Sequence, residues 1–347
     1  MAGPIRLWQS FALCLAMLAV WAATTRPSAP QPTGLSDGEM LEYLVQSGCM
    51  DDQGRLTDRL ATDPDCGNRR LLREDDPLPW RKHDWGGVGG PAAGWQASDA
   101  VLAERSGVSF VDQTFDFGAP AAGNDGRPDA FQRFDANDGG DAIMIIGDTA
   151  SAFLTQDGGI PGLQWFIGPG CSQAGRGRYV SWVLFKSDVG VDWRSLVAEL
   201  GDLSRDACPK RFNRAFTRYR RVTEKFPFHR AAAGEAPRHA DISLPTIIVE
   251  HFDAASMAQA HALERFYYAQ GFGKLRWEAW VTDSGKFTQA DTLARSGRCP
   301  GLIDGTAPAA GWRMVDCRMW TNIVADPARA GWRVRDFGWP PLDLALQ

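Results

Sequence analysis

Apolar and polar positions follow different periods in different parts of the chain. Ser36 and Glu39 stand as a capping box before Met40, Leu41, Tyr43 and Leu44, whose spacing puts one apolar stripe on a short helix that Gly48 should end. From Met50 to Gly94, Asp, Arg, Gly and Pro dominate without a sustained period of 3.6 or 2, the pattern of an arm that wraps a surface. From Gly107 onward the runs VSFVDQTFDF, FQRFD, AIMIIG, ASAFLT, LQWFIG and RYVSWVLF are short, β-type and separated by Gly, Asp and Pro. A mixed segment follows, in which DWRSLVAELGDL fits a helix and NRAFTRYRRV fits either a helix or a strand. Strands resume at ISLPTIIVEHF, ERFYYAQGFGKLRWEAW, GWRMVDCRMWTNIV and WRVRDFGW. Short strands at this spacing predict a mainly β protein with an antiparallel β-sandwich or jelly-roll-like core, a short N-terminal helix and a disulfide-stapled arm. The expected division is a signal peptide over 1–23, a linker over 24–35, the helix and arm over 36–105, and the β-sandwich over 106–347. Within the last, 106–205 and 240–347 read as two halves of one structure.

The most legible element is a hairpin. With Gln270 to Gly273 as its loop, Ala269 pairs with Lys274, Tyr267 with Arg276, Arg265 with Glu278, and Leu263 with Trp280. Opposite charges then face each other as a surface ion pair, and the other face collects Phe266, Tyr268, Leu275, Trp277 and Val281 for a core. The run YYAQGFGKLRWE resembles the strand, G-x-G turn and strand of many secreted and envelope-associated bacterial β proteins, a resemblance of about a dozen residues that implies location more than activity.

The N-terminal segment supports that location. Arg6, the apolar run Phe11 to Ala23 and a proline-rich stretch have a signal peptide's layout, with Val20 and Ala22 as the small residues for cleavage after Ala22. The run is shorter than the ~20 residues a spanning helix needs; a retained N-terminal anchor is the alternative. The expected localisation is secreted or periplasmic. Loss of Cys14 with the signal leaves Cys49, Cys66, Cys171, Cys208, Cys299 and Cys317, an even set that reads as disulfides in an oxidising compartment. Pairing of sequence neighbours (Cys49 with Cys66, Cys171 with Cys208, Cys299 with Cys317) closes three local loops and is preferred for that reason.

Composition narrows function by exclusion. Hydrophobic residues at 44% and charged residues at 23% are ordinary for a globular chain, and a net charge of −5 gives no global attraction to nucleic acid. Walker loops, the strict dinucleotide fingerprint G-x-G-x-x-G, H-E-x-x-H and Cys-x-x-Cys are all missing from the sequence. Tryptophan is abundant, at 14 residues. Three of these share a local pattern, Trp95 with Asp99, Trp312 with Asp316 and Trp332 with Asp336; on a strand, residues four apart share a face, so each indole would stand beside a carboxylate as a glycan platform needs. Inward packing of these indoles is the stronger expectation, since buried aromatics outnumber binding ones.

Glycan cleavage would need two carboxyl groups about 5 to 9.5 Å apart; the candidates are Glu250, Asp253, Glu264 and Glu278. Asp135, Asn137, Asp138 and Asp141 offer oxygen ligands of the kind calcium takes, but Gly139 and Ile146 depart from the EF-hand pattern and a plain Asp/Gly turn is favoured. Otherwise no cofactor is expected. The five histidines show no i, i+4 ligand pair. Lys210 to Arg221 interleaves six basic residues with Phe212, Phe216 and Tyr219, fit either for an anionic polysaccharide or membrane surface or for a solvated face of the fold. The leading expectation is a non-catalytic β-sandwich binding a glycan or envelope component, with no membrane span after signal removal; the rivals are a glycoside hydrolase with paired carboxylates and a structural or protein-binding envelope module.

Overall fold

The computed structural model describes residues 34–77, 80–83, 97–105, 108–116, 141–154, 182–201, 212–231, 238–282, 306–324 and 333. They form a mainly antiparallel β structure with one short helix, as the alternating runs predict. The helix, α1 (Asp37–Leu44), is closed at its start by the expected capping box: the Ser36 side chain accepts from the Glu39 amide and Glu39 reaches back to the Ser36 amide. It buries Met40, Tyr43 and Leu44. It stops before Gly48 because Val45 turns extended, Gln46 bridges to Phe272, and Gly48 lies within a strand.

In the arm, β1 (Ser47–Met50), β2 (Leu56–Leu60) and β3 (Arg69–Leu71) make a small antiparallel sheet, and the Cys49–Cys66 disulfide staples it. These strands are three to five residues long, too short to register as a period. The remaining strands are β4 (Arg81–His83), β5 (Ala97–Arg105), β6 (Val108–Asp116), β7 (Asp141–Ile146), β8 (Thr149–Leu154), β9 (Trp182–Lys186), β10 (Arg194–Gly201), β11 (Phe212–Ala231), β12 (Arg238–Phe252), β13 (Ala262–Ala269), β14 (Gly273–Thr282), β15 (Trp312–Met319) and β16 (Asn322–Val324). They join one long sheet in the order β15-β14-β13-β12-β11-β16-β4-β5-β6-β7-β8-β9, with β10 also on β11. The β11–β16 contact is parallel and the other pairings are antiparallel.

The segment around Arg194, expected to fit a helix, is strand β10, and the ambiguous basic run is the first half of β11. Residue for residue β10 pairs with β11 from Arg194–Tyr219 to Gly201–Phe212, and that ladder overrides a helical pattern with no partner face of its own.

Both faces of the β11–β14 sheet are covered. One face carries Tyr219, Ile247, Val249, Phe266 and Tyr268, which share a core with α1 and with Val111, Ile143, Leu184 and Phe185 of the other end of the sheet. Residues from both halves thus meet in one cluster, an arrangement compatible with a sandwich. The opposite face carries Phe226, Phe228, Ile248, Tyr267, Leu275 and Met319. Two buried faces explain the near-continuous apolar run TIIV in β12, which a half-solvated strand would not show.

The hairpin register holds from Leu263–Trp280 to Tyr267–Arg276, and Arg265 faces Glu278. A bulge after Tyr267 then makes Tyr268 pair with Lys274 and Ala269 with Gly273, one residue off the expected pairing. Leu275 is the extra residue. It packs on the face opposite Phe266, Tyr268 and Trp277 rather than beside them.

Candidate functional site

The charged residues of β11 to β14 stand in register. Arg218 pairs with Glu250, Glu250 with Arg265, and Arg265 with Glu278, so one row crosses four strands with alternating charge. In the next row, Tyr267 faces Arg276. The row lies between two apolar clusters, one around Phe252, Leu263 and Trp280 and one around Ile248, Tyr267 and Met319. Charges there persist only if their partners are complete.

They are complete. Glu250, fully buried, accepts from Arg265 Nε at 2.8 Å and from Arg218. Glu278, also fully buried, accepts from Arg265 Nη1 at 3.1 Å, Arg276 Nε at 2.6 Å, the Tyr267 hydroxyl at 3.1 Å and Trp280 Nε1 at 2.8 Å. Arg276 also donates to Tyr267 at 2.8 Å and to Glu224 at 3.3 Å. The backbone oxygens of Thr306 and Pro308 accept from Arg265 and Arg218, and Arg218 and Arg220 both stack on the Trp193 ring. Burial opposes the charge on Arg265, but the Glu250 and Glu278 carboxylates outweigh it and raise its pKa. Burial likewise pushes the Tyr267 hydroxyl up, keeping it a neutral donor.

The expected surface ion pair is therefore an interior one. Cross-strand pairing was readable, but two-sided burial of the sheet was not. The basic run is likewise only partly a solvated face, since alternate residues Arg218 and Arg220 turn onto Trp193 and the buried row. As a carboxylate pair, Glu250 and Glu278 come together around one guanidinium, and their oxygens are held by arginine, tyrosine and indole donors. Asp253 instead accepts from the His261 amide at 2.8 Å in a turn, and Glu264 accepts from Trp277 Nε1 at 2.9 Å.

Of the tryptophan–aspartate pairs, Trp312 is partly buried with its ring edge-on to Phe252, and Asp316 occupies the β15 position facing Ala279. Asp99 is interior, 1% exposed, with Gln46 Nε2 3.4 Å away. Its charge opposes, without cancelling, the burial that pushes the Lys82 amine down to about 7; Lys274 adds to that depression, and Lys82 Nζ donates to the Phe272 and Lys274 carbonyls at 2.6 and 3.0 Å. Trp95, Trp332 and Asp336 lie outside the described residues, as do Asp135, Asn137, Asp138, Cys171, Cys208 and Cys299. Asp141 opens β7 opposite Gln113. Cys317 is disulfide-bonded.

Open space lies elsewhere. A cleft of about 410 Å³ is walled by Glu39, Glu42, Tyr43, Val191, Arg221 and Gln270 among others, and one of about 570 Å³ by Glu42, Ser47, Thr62, Arg69, Arg70 and Gln270 among others. They share Glu42, Pro245 and Gln270, and Gln270 Nε2 donates to Glu42 Oε2 at 2.5 Å. Gly271 of the hairpin turn donates its amide to the Glu42 carbonyl, fixing α1 over the turn. Arg70 is committed to Asp76 at 2.5 and 2.6 Å, whereas Arg69 is exposed. The walls thus mix carboxylate, amide, hydroxyl and guanidinium groups. Sequence reasoning missed Glu42 and Gln270: each looks like an ordinary polar residue of a helix or a turn, and only the docking of α1 on the hairpin makes them neighbours.

No protein-family model matches the chain, and no curated protein and no solved structure matches it. Among the described residues, no helix is long and apolar enough to cross a membrane, and no three His, Cys, Asp or Glu side chains are gathered for a metal ion.

Proposed function

We propose that the protein is a secreted or periplasmic, non-catalytic β module that binds a polar, polyhydroxylated ligand, a glycan segment foremost, in the paired clefts that meet at Glu42 and Gln270. The observation that carries this reading is the contrast between two sites. Two of the four candidate carboxylates, Glu250 and Glu278, are shut in a saturated ion row, and Asp253 and Glu264 are held apart by a turn amide and an indole N–H, while polar groups of both signs line open space large enough for a few sugar rings. Alternating donors and acceptors suit hydroxyl groups better than they suit a polyanion, because Glu39 and Glu42 offset Arg69 and Arg221. The Cys49–Cys66 bridge supports an oxidising compartment.

A glycan array followed by calorimetry on the best ligand tests the reading. Glu42→Ala and Gln270→Ala should weaken binding at least roughly fivefold each, about the effect of losing one hydrogen bond, with no release of reducing sugar by the wild type. Absence of any glycan ligand, or binding untouched by both substitutions, would reject the site; release of reducing ends would favour a glycan-cleaving enzyme instead.

A further inference from the structure

The ion row of β11 to β14 is balanced in charge: Arg218, Arg265 and Arg276 stand against Glu224, Glu250 and Glu278. One cation beside it is left over. Arg220, the next residue after Arg218 on the same face of β11, has no carboxylate partner among the described residues, and its Nε is closed off from solvent without an acceptor. What holds it is an indole: its guanidinium carbon lies 4.5 Å from the centre of the Trp193 ring, and that of Arg218 lies 4.4 Å from the same centre. Trp193 is itself half-buried, packed against the cluster of Phe226, Phe228 and Ile248.

An indole face attracts the charge of Arg220 but offers no oxygen to its N–H donors, and a charged donor kept from water without an acceptor is costly until some group supplies one. Arg218 adds positive charge beside it, although its Nε is spent on Glu250 and its Nη2 on the Pro308 carbonyl at 3.3 Å. We propose that Arg220, flanked by Trp193 and Arg218, anchors a second binding site, one for a single oxyanion group, carboxylate or phosphate, carried by a sugar. An arginine fork can take either group bidentately, and the indole beside it keeps water from one side of the pair, which strengthens the attraction. The site is separate from the cleft at Glu42. Arg221, the following residue, faces the other way and lines that cleft with Glu39 and Tyr43, so the two sites lie on opposite faces of the sheet and stand or fall independently.

Calorimetric titration of the full chain with tetragalacturonate and with glucose 1-phosphate tests it. At least one of the two should bind, more weakly as salt rises; binding of the first alone assigns a carboxylate, and of the second alone a phosphate. Arg220→Gln should weaken that binding by at least roughly tenfold, as expected for lost charge-assisted hydrogen bonds. Arg220→Lys, which keeps the charge but not the fork, should recover part of the affinity. Glu42→Ala and Gln270→Ala, in the cleft, should leave it unchanged. Arg220 has no ion pair to lose among the described residues, so both of its variants should keep the wild-type circular dichroism, and the lysine variant remains informative should the glutamine one not fold. Failure of both anions to bind, or binding undiminished in Arg220→Gln, would overturn the proposal whatever the cleft binds.

Discussion

Arg265 joins both buried glutamates through one guanidinium, and this makes it the residue whose loss the fold should feel most. Removing it leaves Glu250 with Arg218 alone and forces Glu278 to rely on Arg276, so Arg265→Ala should cost about 3–5 kcal/mol, the usual penalty for breaking a buried charge set. Urea unfolding measures it, and a cost below 1 kcal/mol would mean that water reaches the row. His251, on the opposite face, has the reverse problem. Burial lowers its pKa to about 3 from an ordinary 6.5, and its Nδ1 lies 3.0 Å from the Thr217 hydroxyl. The folded ring stays neutral while the unfolded one takes a proton below pH 6.5. Stability should therefore fall as pH drops from 6.5 toward 3, by up to about 1.4 kcal/mol per pH unit from this residue. His251→Asn should flatten that part of the stability–pH curve, and an unchanged slope would show the ring to be protonated in the fold.

At the scale of elements, the contact between α1 and the β13–β14 turn positions the clefts. Gly271 and Gly273 both have positive φ, at 81° and 67°, but they differ in room. A Cβ on Gly273 would lie 2.9 Å from the Leu44 carbonyl oxygen and 3.1 Å from the Ala100 side chain, whereas at Gly271 the nearest atom is the Ser47 hydroxyl oxygen at 3.8 Å. Gly271→Ala should cost only the left-handed strain of about 1–2 kcal/mol. Gly273→Ala should add about 1–3 kcal/mol for pushing the helix and β5 away. Thermal unfolding of the two variants compares them directly; equal costs would mean that helix and turn are not in close contact. The same element shows why the register was only mostly legible. Arg265–Glu278 complementarity and the aromatic alternation set it up to Tyr267, but the bulge that places Leu275 on the other face follows from packing that alternation alone does not reveal.

Over the whole molecule, the two ends of a long sheet and the helix share one core, and a disulfide holds the arm. The Cys49–Cys66 bridge spans 17 residues, and its removal by Cys49→Ala with Cys66→Ala should lower stability by about 3 kcal/mol through the freed unfolded chain. Chemical denaturation with and without reductant reads this: reductant should lower the wild type's midpoint toward that of the double variant, and an equal midpoint for both proteins without reductant would discount the bridge. The helix start was readable because Ser36 and Glu39 act locally; its end was not, because the bridge from Gln46 to Phe272 joins residues far apart in the chain.

By itself the sequence determined the features that depend on neighbours along the chain: strand type from alternation, the helix cap, the hairpin pairing near Arg265, and the Cys49–Cys66 loop. The tertiary structure alone decided which faces are wet. It buried both sides of β11–β14, turned an expected surface ion pair into a sealed row, and brought Glu42 to Gln270. Local propensity acts over a few residues, whereas burial depends on which distant surface docks on each face; periodicity says that a strand has two faces, and only packing says that both are inside.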